Sequence, residues 1–455
     1  MANRSPWIHQ LDRDRVTVSL AADREADVAV IGGGIAGIST AFFTLKYTDK
    51  SVIMLEAGRL AHGATGHNAG QLTSYFERPY ADLVEEFGPE LARDGQAAIE
   101  GAWELVDEMY NDAGLTLPLA RFLGHAGITN LPRILSLLRD NKARRDTGLM
   151  PEEFLIADSA RFLKDIPRDF DGLYRLASQQ EIIDRVEAKD ERFVACISAR
   201  KGVMNSALFT QEVAQFLLKK YSGRFSLFEH TRVRKVVLKD DHALLDAGNA
   251  TVDCSRVVLC TNGFEDIQVI APSGLEIDAR FHHSVVGVVG FMSAYLAPYR
   301  KPPIALSYLM SEDSRPEDPY FYLTRRQYEY DGADQNLVSI GGPELVLEDR
   351  TEYLADSDYP EEAHNEIDRF VKDVYEGNPH AEIDYAFRWH GLMGYTANGV
   401  RMVGPDPQSQ VLMYNLGCNG IGILPSLFGA RTVARHLAGE ILPPSMFDVK
   451  AQRGK

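Results

Sequence analysis

The sequence predicts an α/β protein of two closely joined domains, and three observations carry that expectation. The first is residues 27–37, where the apolar run Val28-Ala29-Val30-Ile31 leads into Gly32, Gly34 and Gly37. A helical apolar pattern follows over 35–45, then a strand pattern over 51–55 that ends at Glu56. Strand, tight turn, helix, strand and acid, in that order, describe a Rossmann-like dinucleotide-binding unit. The second observation is a change of texture after about residue 282, where alternating strand patterns replace helical spacing. The third is a recurrence near the C-terminus: a strand over 411–416, glycines over 417–422, then a helix over 425–437. Together they predict a Rossmann-like ββα-type domain and a discontinuous second domain, α+β in character, on an antiparallel or mixed sheet.

Each part of the glycine stretch has a physical task. Gly32 permits a sharp turn, Gly34 lets backbone approach a pyrophosphate, and Gly37 lets helix and strand pack closely. The helix start offers unpaired N–H groups to phosphates. Glu56 lies 24 residues after Gly32, where a carboxylate accepts both hydroxyls of an adenosine ribose. It would repel a 2′-phosphate, which excludes NADP here. These residues alone leave NAD and FAD both open.

Composition narrows the class. The chain has 455 residues, 45% of them hydrophobic and 25% charged, as in a soluble globular protein. A formal net charge of −17 disfavours nucleic acid and anionic membrane as partners. Cys196, Cys254, Cys260 and Cys418 form no short-spaced pair, so no metal knuckle, no redox pair and no bound metal are expected. The first 26 residues lack an apolar signal-like core, and no long uncharged apolar stretch reads as a membrane helix. A cytoplasmic protein is the resulting expectation.

Along the chain, residues 1–26 read as a polar arm, with Pro6-Trp7-Ile8 able to dock on the body. Residues 57–71 are mostly small, which suits backbone passing close to a flat or charged group; His67 and Asn68 are the polar exceptions. Helical spacing covers 80–112, broken at Gly88-Pro89, and a short strand is expected over 120–128. A helix over 131–145 ends in a basic run read as solvated. Residues 152–195 read as short helices and turns, with 179–186 either helix or strand. A turn at 201–205 precedes a helix over 207–218. Strands follow over 225–228, 231–238, 243–245 and 256–260, the last ending at Thr261-Asn262-Gly263. The second texture brings strands over 283–291, 304–308, 320–323 and 336–340, the last closed by Gly341-Gly342-Pro343-Glu344. A helix over 363–375, a strand over 383–389 and a turn-rich stretch over 390–399 complete it. The resulting division is an arm (1–26), dinucleotide-binding segments (27–80, 201–280 and 389–438), a mainly helical segment partly in the substrate domain (81–200), the substrate domain (281–388) and a tail (439–455).

These stretches together resemble the D-amino-acid-oxidase-like family of FAD-dependent amine oxidoreductases, nearest the γ-glutamylputrescine oxidase and glycine oxidase branches. The resemblance runs over about residues 26–438. It rests on the glycine motif with Glu56, the segment 63–70, the turn 202–205 before a helix, the strand 257–263, and the C-terminal stretches 389–404 and 417–422. It implies FAD. It places Gly32, Gly34 and Gly37 at the pyrophosphate, Glu56 at the ribose, and Arg59 and Val233 near the adenine. Thr65, His67, Asn68, Ala69 and Gln71 would run beside the pyrophosphate and flavin. Thr261, Asn262 and Gly263 would approach the cofactor. Gly391, Gly394, Gly420, Ile421 and Gly422 would bring N–H groups to the ribityl chain and the flavin carbonyl.

His67 stands where many relatives carry arginine and where some glycine-derivative dehydrogenases carry a flavin-linked histidine. An imidazole there serves as a covalent link, a neutral phosphate partner or a packed polar residue. The surrounding residues suit the branch in which FAD is held without a covalent bond.

The implied reaction is oxidation of a C–N bond by hydride transfer to the flavin, with hydrolysis of the resulting imine and O2 as acceptor. Among the second-domain residues, Tyr320, Tyr322, Arg325 and Arg326 are candidates for substrate contact; an arginine there would grip a carboxylate, against a plainer reading as solvated strand ends. His390, at a turn after Trp389, and Tyr395 are candidates for orienting the amine; the plainer reading of each is a packed, satisfied side chain. His282 and His283 are weaker candidates for the same cavity. Trp389 reads as packing. The alternative functions are FAD chemistry on another bond, as in a dehydrogenase or maturation enzyme, and a non-catalytic flavoprotein subunit of a larger complex.

Overall fold

The computed structural model describes residues 3–263, 267–274, 277, 285–310, 320–347 and 353–452. Among these, two sheets organise the chain. At the centre of the first, the strand Arg24–Ile31 pairs in parallel with Thr251–Leu259 on one side and Val52–Leu55 on the other. Phe225–Phe228 extends it beyond Val52–Leu55, and Ser409–Leu416 pairs in parallel with the end of Thr251–Leu259. The apolar run of the first strand is continuous because both faces are covered. Val28 and Val30 meet a core that includes Ile38, Phe42 and Leu427, while Ala29 and Ile31 meet Val236, Val257 and Leu412.

Register brings the glycine turns to one edge. Ile31 lies opposite Leu55 and Leu259, and Leu259 lies opposite Tyr414. The turns after Ile31, Leu259 and Leu416 therefore leave the carboxyl ends of neighbouring strands, where open α/β sheets hold ligands. The helices Ile35–Tyr47 and Ile423–Leu437 pack on one another, so their starts lie at the same edge.

The second sheet is mostly antiparallel. Its order is Tyr385–Thr396, Val285–Pro298, Ala333–Leu347, Phe321–Tyr330, Ile304–Leu309, Ala120–Ile128, Ala195–Val203, Glu153–Ala157, Arg175–Ala177. The helix Glu361–Phe370 and a π-turn over Val371–Tyr375 bury Ile367, Phe370, Val371 and Val374 against Leu323, Val338 and Ile340.

Several expectations need correction. Residues 152–195 supply the strands Glu153–Ala157 and Arg175–Ala177, and 179–186 is a helix. The expected turn at 201–205 begins as the end of the strand Ala195–Val203, which pairs with Ala120–Ile128 and Gln71–Thr73; only Met204 and Asn205 leave it, and Asn205 caps the next helix. The strand read over 231–238 forms only over Lys235–Leu238. Gly341-Gly342 does not close a strand, and 390–399 does not start with a turn: Ala333–Leu347 and Tyr385–Thr396 run through both. The glycines are there because neighbours press on the backbone. A Cβ at 341 would strike the Tyr322 ring, and one at 391 would strike the His67 carbonyl. His282 and His283 lie outside the described residues.

The N-terminal segment docks through Trp7, which is fully buried and donates its ring N–H to the Asn68 carbonyl. Among the described residues no helix is long and apolar enough to cross a membrane.

Candidate active site

A cavity of about 400 Å³, within the range of small-molecule and cofactor sites, is lined by residues of both sheets. Its walls begin at the first glycine turn. Gly32 has φ +109°, and a Cβ on it would sit 2.7 Å from the Cys260 carbonyl oxygen. Gly34 caps the helix Ile35–Tyr47 without a side chain, so Thr65 Oγ1 accepts from the Ile35 N–H at 2.9 Å instead. The small-residue stretch is thereby pinned over the helix start. Glu56 accepts from the N–H groups of Gly33 (2.6 Å) and Gly58 (2.7 Å). Asn68 fixes the stretch from within, accepting from Gly70 N at 2.7 Å and donating to Ser206 Oγ at 2.9 Å.

The second glycine turn is held from outside. Cys418 N donates to Asn262 Oδ1 (2.9 Å), Asn419 N to the Gly394 carbonyl (2.9 Å), and Thr396 N to Asn419 Oδ1 (2.8 Å). Asn262 and Asn419 are non-glycine residues at positive φ, at 68° and 48°. The helix Ile423–Leu437 then starts at Gly422, again with no side-chain cap. Two helix starts therefore present N–H groups to one cavity.

Gly32, Gly34, Glu56, Thr65, His67, Asn68, Ala69, Gln71, Val233, Thr261, Asn262, Gly391, Gly420, Ile421, Gly422 and Tyr322 line this cavity, as does Tyr320. His67 donates Nδ1–H to the Gly63 carbonyl at 3.0 Å, and burial lowers its pKa to about 4, so the ring is neutral at pH 7. Gly37, Gly263, Gly394 and Arg59 are not on the wall. Gly37 lets the helix pass the Gly32 carbonyl, and Gly263 packs on Val285. Gly394 holds Asn419, and Arg59 points to the Arg13 carbonyl.

Three catalytic candidates are placed elsewhere. Arg325 is 2% exposed and forks onto Glu187 at 2.6 and 2.8 Å, with further bonds to Tyr375 Oη and the Pro302 carbonyl. Arg326 lies over the Trp7 ring, 5.1 Å from its centroid. His390 faces Tyr353, Phe291 and the Ser357 carbonyl (3.1 Å), away from the cavity. For Arg325 and His390 the physical reason is strand alternation; Arg326, an even number of positions from Tyr322, shares its face but lies farther along the strand, against Trp7 of the N-terminal segment. Tyr322 and Arg325 are an odd number of positions apart on Phe321–Tyr330, and His390 is adjacent to the cavity-lining Gly391. Tyr395 stands one residue behind the wall, donating its hydroxyl to Glu77 Oε2 at 2.7 Å.

Sequence reasoning missed Tyr75, Glu77, Ser307, Glu344 and Arg401 as wall residues. Acids in loops and strand ends read as solvated. No local signal marked them: Glu344 reaches the wall because it aligns through Gly290 with Gly391, a register that only the folded sheet sets.

The wall suits an extended dinucleotide. Thr261 Oγ1 is buried without a partner on the wall, two helix starts whose N-cap residues are glycines open onto it, and a carboxylate closes the second strand. Fold and wall thus define a dinucleotide-binding α/β protein whose cavity lies between two sheets. A family model described as "DAO: FAD dependent oxidoreductase" matches residues 27–436, and the chain belongs to that family. It is an FAD-dependent oxidoreductase, and FAD is its cofactor.

Among curated proteins, the chain is 37% identical over 83 residues to γ-glutamylputrescine oxidoreductase of Escherichia coli (strain K12), covering 18% of this chain and 19% of that one. It is 23% identical over 385 residues to "Probable oxidoreductase OrdL" of Rhizobium meliloti (strain 1021), 83% of this chain and 75% of that one. The aligned stretches cover only 18% and 19% of the length of two such relatives. Its fold matches glycine oxidase from Geobacillus kaustophilus with TM-score 0.66 at 17% identity, over 94% of this chain and 98% of that one.

Proposed function

We propose that the protein oxidises a C–N bond of an amine or amino acid. The observation that carries this reading is one cavity joining the glycine-lined cradle of the first sheet to a tyrosine-lined end on the second, in a chain of the FAD-dependent oxidoreductase family. The fold likeness to a glycine oxidase and the local identity to a γ-glutamylputrescine oxidoreductase support it. In this reading segments 27–80, 201–280 and 389–438 carry the cofactor, while 281–388 and part of 81–200 carry the substrate.

Bound FAD would supply the two-electron acceptor for a hydride from the carbon beside nitrogen, with O2 as the final oxidant, reduced to H2O2. The chain's own part is to bind, orient and shield. Gly32, Gly34 and the start of Ile35–Tyr47 hold the pyrophosphate, and Glu56 holds the ribose hydroxyls. Gly420, Ile421, Gly422 and the start of Ile423–Leu437 offer N–H groups where negative charge develops. His67 and Gln71 line the passage between the two ends. The oxidised substrate is an imine, which water splits to a carbonyl compound and an amine or ammonia. FAD is held without a covalent bond.

The test is anaerobic titration of the purified protein with pooled primary amines, N-methyl amino acids, D-amino acids and γ-glutamyl amines, read by the flavin's visible absorption. Bleaching by one pool, with H2O2 on readmission of air, is the expected result. A yellow protein that no amine bleaches would overturn C–N oxidation. A yellow pellet after acid precipitation, lost in H67A, would overturn non-covalent binding.

A further inference from the structure

We infer that the substrate is a carboxylate-free diamine or polyamine, whose distal ammonium is held by Glu77 and Glu344 inside the tyrosine-walled end of the cavity. This rests on the C–N reading above and names the substrate class within it.

Glu77 sits where the two ends meet. Its carboxylate packs against Gly420, so closely that a Cβ there would collide with it. Tyr395 and Tyr320 donate hydroxyls to its two oxygens at 2.7 and 3.3 Å. Glu344 reaches the same space from Ala333–Leu347. Tyr75, Tyr320 and Tyr322 complete this end, the last two with ring centroids 5.6 Å apart. Aromatic faces with carboxylates form a box for an ammonium group.

The cations nearby are committed elsewhere. Arg401 lines the cavity but donates to Asn415 Oδ1 (2.6 Å), the Asn415 carbonyl (2.8 Å) and the Gly417 carbonyl (3.3 Å). Arg232 acts on Glu56, at the ribose end. Lys201 has Nζ 3.2 Å from Ser307 Oγ and 5.6 Å from the Tyr75 ring centroid, with Glu152 acting on it, so it covers Tyr75 and leaves Tyr320 and Tyr322 beside the two carboxylates. Arg133 reaches Tyr320 from the helix Leu131–Asp146 and is not on the wall. Among the described residues, no Lys, Arg or His forms an ion pair with Glu77 or Glu344.

Two carboxylates facing one desolvated space repel, and each holds its proton more tightly. Burial raises Glu77 to about 7, and burial together with Glu77 raises Glu344 to about 8. A bound ammonium would replace the shared proton and offset the desolvation cost. A substrate carboxylate would add a third anion. The reacting nitrogen must be neutral to release a hydride, whereas the acid pair requires a cation. A molecule with two amino groups meets both demands.

The experiment compares α,ω-diamines of three to six carbons with the matched monoamines, the matched ω-amino acids, glycine and N-methylglycine. Each is scored by anaerobic bleaching and by kcat/KM in the holoenzyme. The best diamine is expected to exceed its monoamine by about 10–100-fold, the loss of one charge-assisted contact. In E344Q and E77Q the diamine KM rises more than kcat falls. A second readout needs no turnover: tetramethylammonium, which cannot titrate, protects the holoenzyme against heat more strongly at pH 9 than at pH 6, and this dependence flattens in E344Q. Bleaching by glycine or N-methylglycine in preference to diamines overturns the inference and leaves C–N oxidation standing. Absence of bleaching by any amine overturns both, and protection by acetate equal to that by tetramethylammonium overturns the acid box directly.

Discussion

The two ends of the cavity are built by different means. The cradle end is backbone: glycines, two helix starts with glycine N-caps and one acid, supplied by short contiguous stretches at the carboxyl ends of parallel strands. The other end is side chains: Tyr75, Glu77, Ser307, Tyr322 and Glu344, from segments far apart in the chain. Backbone recognition tolerates no Cβ in the wrong place. Side-chain recognition depends on which face of a strand a residue occupies. On the reading proposed above, the first makes a general cofactor site, and the second a site whose charge can be retuned one residue at a time.

The most severe break should come at the cradle. In Gly32→Ala the new Cβ meets the Cys260 carbonyl at a backbone angle that L-residues avoid. The combined strain and overpacking cost is about 3 kcal/mol or more, with loss of bound flavin. The flavin-to-protein absorbance ratio and the melting temperature of the purified variant measure it; full retention of flavin would show that the turn is not a cofactor contact.

Next is Arg325, whose role separates structure from recognition. Arg325→Ala leaves Glu187 with, among the described residues, only the exposed Lys301 at 3.4 Å as a cation. The expected cost is about 3 kcal/mol, toward the low end for breaking a buried pair because Glu187 is partly exposed. KM should change less than about twofold. A large rise in KM with unchanged melting would return Arg325 to the substrate site.

A smaller effect is the pH dependence of stability in the absence of substrate. Glu77 and Glu344 have ordinary carboxyl values of 4.5 and are raised to about 7 and about 8 in the folded chain. Between those limits the folded state binds more protons than the unfolded one. Their contribution is fully present at pH 4 and is lost as pH rises through 7 to 8. Melting curves from pH 5 to 9 should fall less steeply in E344Q than in the parent. An unchanged slope would place Glu344 in solvent.

The smallest effect is expected at His390, which packs between Phe291 and Tyr353 on the far face of its strand. His390→Gln should cost about 1 kcal/mol of stability and change kcat/KM less than about threefold. A tenfold loss of kcat with a shifted pH profile would restore it as a catalytic residue.

Legibility followed the same division. The strand 225–228 and the helix 131–145 appeared at nearly their observed bounds because local apolar spacing carries them. Segments 152–195 and 201–205 were misread because their strands exist through pairing: Glu153–Ala157 with Ala195–Val203 and Arg175–Ala177, and Ala195–Val203, which buries Ser198 and Lys201, with Ala120–Ile128. Arg325 and His390 were attractive as residue types, but a one-position difference along a strand turned each away from the cavity. Glu77 and Glu344 carried no local pattern at all.

By itself, the sequence determined the glycine turns, the acid after the second strand and the fact that a dinucleotide is bound. Those depend on backbone geometry that a few consecutive residues impose. The tertiary structure alone decided which tyrosines and carboxylates face the substrate end. That choice follows from strand register and from the crossing of segments hundreds of residues apart, and no local spacing records it.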